Sequence, residues 1–386
     1  MNIILSTCGT SFLTNRVEEN LRALLTRHAN VKKKEEVPAK ERNSIENHIR
    51  KRQTESAGFS QEEARRDSAE LNGILSYYGG RPDGRDAHYL LATDTWFGEA
   101  TAEIVKAWLA TNGISNCQVI RHPDLQTANW REFSSSLSDL VKWCHETFGS
   151  ARSTKTCPLC GSDMVCEETL RPQRSAHRRV IFNLSGGFKS ETGFLQMLGM
   201  FYADETVYIF ERSGELMRIP RLPVKMEDKQ AIRDDLADFR RAALKLTVEA
   251  EKSGIYWFEA GGQYDLTPWG ELIFVQHKTK IYEEKILPPP SDTICFGAGF
   301  LKSCEGENGE RIRLINERID QLAQFKERPN HPNPKSLHYH PIHNSSGEVP
   351  QASHEIYAWS DQDAKRIYCR EIAGGTTELI CLGKHL

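Results

Sequence analysis

Three times along this chain a short apolar run stops in a small polar turn, and a helical period then begins. Ile3-Ile4-Leu5 runs into STCGTS (Ser6 to Ser11), after which Val17, Leu21, Leu24 and Leu25 fall at helical spacing. HYLLATDTWFGEATAEIVKAWL (His88 to Leu109) repeats the pattern, and Val180-Ile181-Phe182 repeats it before NLSGGFKSETGF. Further strands are read at Cys117 to His122 and Thr206 to Glu211, with a helix over Leu137 to Phe148. Such alternation predicts a doubly wound, largely parallel sheet. Ligands of these sheets bind beyond the carboxyl ends of the strands, where the three turns fall.

The third turn carries two glycines, with Lys189 and Ser190 at the start of the next helix. A helix start presents free N–H groups to anions. Phe188 stands where a P-loop needs its second glycine, and no G-x-G-x-x-G occurs, so neither a Walker loop nor an ordinary dinucleotide site is expected. Asn183, Ser185, Lys189 and Ser190 supply donors. A phosphate-bearing nucleotide is the local reading; the plain alternative is a glycine-capped connection in the core.

A length of 386 residues allows two or three domains. The formal charge of −3 advertises no basic field for nucleic acid. No apolar run approaches the roughly 20 residues of a membrane span, and the first residues lack a charged leader. A cytoplasmic protein without a membrane partner is expected. There, ten cysteines are buried or metal-bound rather than disulfide-paired. TCPLCGSDMVC (Thr156 to Cys166) contains a CPxCG knuckle, half of a zinc ribbon. Cys157 and Cys160 could hold a structural zinc, completed by Cys166 with Cys144, His145 or His177; a bare CxxC is the alternative.

The run from Lys32 to about Arg66 mixes both charges at helical spacing and reads as solvated helices. PRLPV (Pro220 to Val224) punctuates the chain. Asp228 to Lys252 then reads as an amphipathic helical stretch, followed by β-like runs around Gly261-Gly262, which together suggest a small winged-helix-like α+β module over 225–290. Pro288 to Pro290 marks its end. The remainder, 291–386, reads as one amphipathic helix (Arg311 to Lys326) and then a meander: His354 to Trp359, Lys365 to Ile372, Thr377 to Gly383. Six of the thirteen histidines lie between His331 and His385, with Lys365, Arg366, Arg370 and Lys384 on or beside the strands. Cutting RNA without a metal takes a base, an acid and cations on the phosphate, and these side chains suit those roles. A sheet with a solvated basic face is the plain alternative.

ILSTCGTS (Ile4 to Ser11), SAELNG (Ser68 to Gly73), LLATDTWFGEATAEI (Leu90 to Ile104) and NLSGGFK…LGMFYADETVYIFE (Asn183 to Glu211) resemble the CARF domains of CRISPR-associated proteins, specifically the APE-type subfamily. The resemblance covers most of 1–224, with a charged helical insert at 32–70 and a CxxC insert at 150–178. It implies a Rossmann-like sensor that pairs as a homodimer and binds a cyclic oligoadenylate, cyclic tetra-adenylate being the expected activator, across the two-fold axis. It places ligand contacts at Thr7, Gly9, Thr10 and Ser11, and at Gly186, Gly187, Phe188, Lys189 and Ser190, with Asp94 and Thr95 as further candidates.

HEIYAWSDQDAKRIYCREIAGGTTELICLGKHL (His354 to Leu386) resembles RelE-family toxins, with their R-x-x-Y strand between two others. This implies an mRNA interferase acting with the ribosome, without a catalytic metal. Arg366 and Arg370 would clamp the phosphate with Lys365 nearby; His385 or Lys384 would serve as acid or base, and Glu355 or His354 as its partner. The terminal tyrosine of some relatives is absent. The whole resembles a CARF–RelE fusion with a winged-helix middle. From Arg311 onward ten Lys/Arg face nine Asp/Glu, consistent with RNA positioned by the ribosome. DNA is not an expected partner, because 228–252 lacks a basic recognition helix; a ligand-responsive transcription regulator is the rival reading. A third is a CARF half that hydrolyses its own ligand through Thr10, Ser11 and Lys189.

Overall fold

The computed structural model describes residues 2–123, 125, 130–149, 179–187, 189–210, 214–221, 229–328, 330–342, 349, 351–361 and 363–384. The chain divides into two compact units, Met1–Lys225 and Met226–Leu386.

In the first unit β1 (Asn2–Cys8) leads through α1 (Ser11–Thr14) and α2 (Glu19–Arg27) to α3 (Ala39–Ser56), α4 (Gln61–Asp67) and α5 (Ala69–Tyr77). Then follow β2 (Ala87–Ala92), α6 (Trp96–Thr111), β3 (Cys117–Arg121), α7 (Trp130–Cys144), β4 (Arg179–Asn183), α8 (Lys189–Tyr202), β5 (Glu205–Ile209) and β6 (Leu216–Pro220). Among the described residues the strands form one sheet in the order β3-β2-β1-β4-β5-β6, all parallel except β6. Ile3, Ile4 and Leu5 of β1 are at most 4% exposed, as a central strand covered on both faces requires. The order reverses between β1 and β4, so the loops after those two strands open side by side.

The charged run of 32–70 is helical, but not simply solvated. Ile45, Ile49 and Arg52 of α3 are buried. Arg52 donates from Nη2 to Asp67 Oδ2 at 2.8 Å and from Nε to Phe12 O at 2.9 Å, with its guanidinium 5.1 Å from the Phe12 ring centroid. A charge-rich pattern hid an inward-facing arginine.

In the second unit α9 (Lys229–Asp234) and α10 (Leu236–Ala243) precede the hairpin β7 (Trp257–Ala260) and β8 (Gln263–Leu266), and α11 (Pro268–Glu284). Gly261 and Gly262 take φ of +67° and +82°, which a tight hairpin turn needs and glycine allows. There follow β9 (Ile294–Phe296), α12 (Phe300–Ser303), α13 (Gly309–Glu327), β10 (His340–Pro341), β11 (His354–Trp359), β12 (Lys365–Glu371) and β13 (Thr377–Lys384). The sheet order is β10-β11-β12-β13-β9, antiparallel except for β9, which lies parallel to β13. Ile315, Ile319 and Leu322 of α13 pack in one core with Ile356, Ile367, Cys369 and Leu379.

A buried polar lock joins the segments on either side of the three prolines. Arg240, 2% exposed, donates to Asp320 Oδ1 from Nε at 2.9 Å and Nη2 at 2.6 Å, and Tyr282 OH also donates to Asp320. Arg240 and Arg241 donate to the carbonyls of Pro288 and Pro290. The proline run is thereby held against α10.

Candidate functional site

The glycine turn lies where the strand order predicts, beside the end of β1. Thr7 Oγ1 donates to Gly186 O at 2.6 Å, tying the two turns together across the switch point. Gly187 has φ +85°, and a side chain there would place its Cβ 2.8 Å from Thr7 Cβ. At Gly186 a Cβ would come within 2.6 Å of Glu70 Cδ. Thr7, Gly9, Thr10, Ser11, Gly186 and Gly187 are thus brought to one edge of the sheet. Lys189 and Ser190 begin α8; their side chains and Phe188 lie outside the described residues.

Glu70 is the residue that reasoning from sequence missed. Its side chain is fully buried, and it accepts from Gly9 N at 2.8 Å, Ser11 Oγ at 3.0 Å and Ser68 Oγ at 2.7 Å. Two donors expected to meet phosphate are therefore occupied by an internal carboxylate. Burial, and then the Glu70 charge, push the Cys8 thiol far up, so it is no nucleophile near neutral pH. Asp94 and Thr95 hold the structure of the neighbouring turn. Asp94 accepts from Arg121 Nε at 2.8 Å, and Thr95 caps α6 by accepting from Gly98 N at 3.0 Å.

In the second unit, alternation along the strands sorts the expected catalytic residues onto two faces. Ile356, Ile367, Cys369, Leu379 and Leu382 face α13. Their neighbours Glu355, Tyr357, Arg366, Tyr368 and Arg370 therefore share the opposite face. Glu355 is registered on Tyr368, Tyr357 on Arg366, and Arg366 on Gly383. Without a side chain at Gly383, the Tyr368 ring fits; an added Cβ would sit 3.0 Å from Tyr368 Cε2.

Arg366, 5% exposed, lies with its guanidinium 3.8 Å from the Tyr357 ring centroid. Its Nη1 donates to Trp359 O at 3.4 Å and Lys365 O at 3.3 Å, while Nε is 3.7 Å from Glu355 Oε1, beyond hydrogen-bond reach. Arg370 donates from Nε to Glu378 Oε2 at 2.5 Å and from Nη1 to Gln351 Oε1 at 2.9 Å. It lines a cavity of about 450 Å³ with Gly297, Gly299 and Cys381.

Three expected partners are elsewhere. Lys365 donates to Glu307 Oε1 at 2.5 Å, toward the loop before α13. His354 stacks on Tyr339 with centroids 4.8 Å apart, and burial lowers its pKa. Lys384 is exposed, its carbonyl accepting from Tyr368 OH at 2.7 Å. His385 lies outside the described residues, as do Cys157 and Cys160. In place of His354, the face gains His338 and His340. The His338 ring is 4.5 Å from that of Tyr357, and His340 Nε2 is 3.2 Å from Glu355 Oε1. A period-two reading from Arg366 would have found Tyr368 and Arg370; the histidines arrive from a separate loop that no local pattern announces.

Residues 65–158 and 163–222 match the family model of a CRISPR-associated protein, Cas_APE2256. The matched segments end before the second unit begins and make up less than half of the chain. No curated protein matches. Among solved structures the chain is similar to Enterococcus italicus Csm6 bound to cyclic hexa-2′-fluoro-hexa-dAMP, at 12% identity and a TM-score of 0.28, over 85% of this chain. The match spans 64% of that protein's length. Among the described residues no helix is long and apolar enough to cross a membrane.

Proposed function

We propose that this chain is a cyclic-oligoadenylate-gated endoribonuclease that cuts mRNA on the ribosome. The observation that carries the reading is the pairing of two features in one polypeptide. One is a pair of small-residue turns at the switch point of a Rossmann-order sheet; the other is a sheet face bearing Arg366, Arg370 and Glu355. The match to a CRISPR-associated family over the first of these supports a role in antiviral defence.

In this account two copies pair through the first unit, so that two glycine turns meet the phosphates of one ring. Cyclic tetra-adenylate shifts a two-state arrangement in favour of an active second unit. There the arginines stabilise charge developing on the phosphorane, which is the largest contribution such a site offers. The ribosome orients the mRNA, so the protein needs no broad basic surface.

The test is incubation with translating ribosomes, with and without cyclic tetra-adenylate, followed by mapping of mRNA 5′ ends. New ends inside codons are expected only with the nucleotide, and at an unchanged rate in EDTA-treated protein. Cleavage of free RNA at the same rate would remove the ribosome from the account.

A further inference from the structure

We propose that His340 is the general acid that protonates the departing 5′-oxygen, with Glu355 as its counter-ion. This inference rests on the endoribonuclease reading above. His340 Nδ1 lies 2.7 Å from the carbonyl of His338, which can only accept, so Nδ1 carries a proton. Nε2 lies 3.2 Å from Glu355 Oε1. Nδ1 thus has its acceptor within the loop, and Nε2 lies beside the Glu355 carboxylate with a third of the side chain open to solvent, where a proton on Nε2 can pass to a departing oxygen.

The backbone of the loop is built around this contact. His338 takes φ +49°, a left-handed conformation uncommon outside glycine, and its carbonyl thereby meets the His340 ring. The side chain of His340 remains 34% exposed, while that of Glu355 is 10% exposed, so a substrate reaches the imidazole more readily than the carboxylate.

In-line displacement also restricts the roles. The entering and leaving oxygens sit on opposite sides of phosphorus, so acid and base must too. At 3.2 Å from His340, Glu355 is on the same side and is not the opposing base. The 2′-hydroxyl loses its proton to solvent water and its oxygen bonds to phosphorus. The P–O5′ bond breaks, and His340 Nε2 gives its proton to the 5′-oxygen. The products are a 2′,3′-cyclic phosphate and a 5′-hydroxyl, and solvent returns the proton to the imidazole.

The test uses the full-length protein with cyclic tetra-adenylate, translating ribosomes, and an mRNA whose 5′-bridging oxygen at the cut is replaced by sulfur. A thiolate leaves without protonation. His340→Ala is expected to lose roughly 100-fold on the all-oxygen mRNA, and to stay within about tenfold of the unmodified protein on the sulfur one. His340→Gln keeps a donor toward Glu355 but no transferable proton, and should give the same pattern; it decides the matter if His340→Ala lowers the melting temperature. Equal losses on both mRNAs, or full activity of His340→Ala, overturn the assignment. If the unmodified protein cuts neither mRNA, the endoribonuclease reading itself fails and takes this inference with it.

Discussion

The backbone N–H of Gly9 donates to the carboxylate of Glu70 at 2.8 Å, so the first turn of the sheet is closed around an internal anion. Ser11 and Ser68 donate to the same carboxylate. Replacing Glu70 with glutamine leaves one of these buried donors facing an amide N–H, which costs about 1–3 kcal/mol. Urea unfolding should show that loss. Because Ser11 is engaged by Glu70, Ser11→Ala should change affinity for cyclic tetra-adenylate by less than about tenfold, or 1.4 kcal/mol. A larger loss in calorimetry would mean that Glu70 surrenders Ser11 to the ligand.

Gly187 tolerates no side chain. Its φ of +85° is costly for other residues, and an added Cβ would press on Thr7. Gly187→Ala should lower stability by about 1–3 kcal/mol and weaken ligand binding at least tenfold, by moving the Thr7–Gly186 contact. Gly193, whose added Cβ would meet open space, is the control and should bind normally as alanine.

Arg366 is fixed by the Tyr357 ring and two carbonyls, a geometry suited to a planar guanidinium. Arg366→Lys should therefore fail to restore cleavage. Both Arg366→Ala and Arg366→Lys are expected to lose about 10²–10³ in rate, as removal of a preorganised charge-stabilising group does. Primer extension on ribosome-bound mRNA measures it. A lysine variant at wild-type rate would reduce Arg366 to a point charge.

His88 makes the first unit sensitive to acid. Tyr78 OH donates to Asp86 Oδ2 at 2.9 Å, so at its 3.1 Å contact with His88 Nε2 the hydroxyl accepts, and the imidazole is neutral with its proton on Nε2. Burial pushes its pKa down to about 4. Between about 6.5 and about 4 the unfolded chain binds a proton that the folded chain refuses. Stability is fully present above that window and falls as pH drops through it, by about 3 kcal/mol. Denaturant midpoints from pH 7 to 4.5 should show the decline, and His88→Gln should flatten it.

Apolar runs bounded by small polar residues made the parallel strands of the first unit legible, because strands buried on both faces must be apolar throughout. β6 was not legible: its sequence, LMRIP, carries an arginine and ends in proline, as an edge strand can. The stretch 228–252 looked helical throughout, yet it breaks at Asp235 and ends at Ala243. Leu246 and Val248 are buried two residues apart beyond the end of the helix, and Lys245 has φ +58°, so their spacing counterfeited a helical face. The pairing of β9 alongside β13 joins residues some 80 positions apart, and no local periodicity encodes it. Arg366 and Arg370 were readable as cations on one strand. The placement of His340 beside Glu355 depends on how a loop returns, which only the fold decides.

The most direct test of the proposed coupling between the two units is the end-mapping experiment run on Gly187→Ala, Arg366→Ala and the unmodified protein. The account predicts codon-internal mRNA ends for the unmodified protein with cyclic tetra-adenylate, and none without it. It predicts ends formed about 10²–10³-fold more slowly for Arg366→Ala at every nucleotide concentration, and none for Gly187→Ala except at concentrations raised at least tenfold. Ends produced equally with and without the nucleotide, in all three proteins, would contradict it.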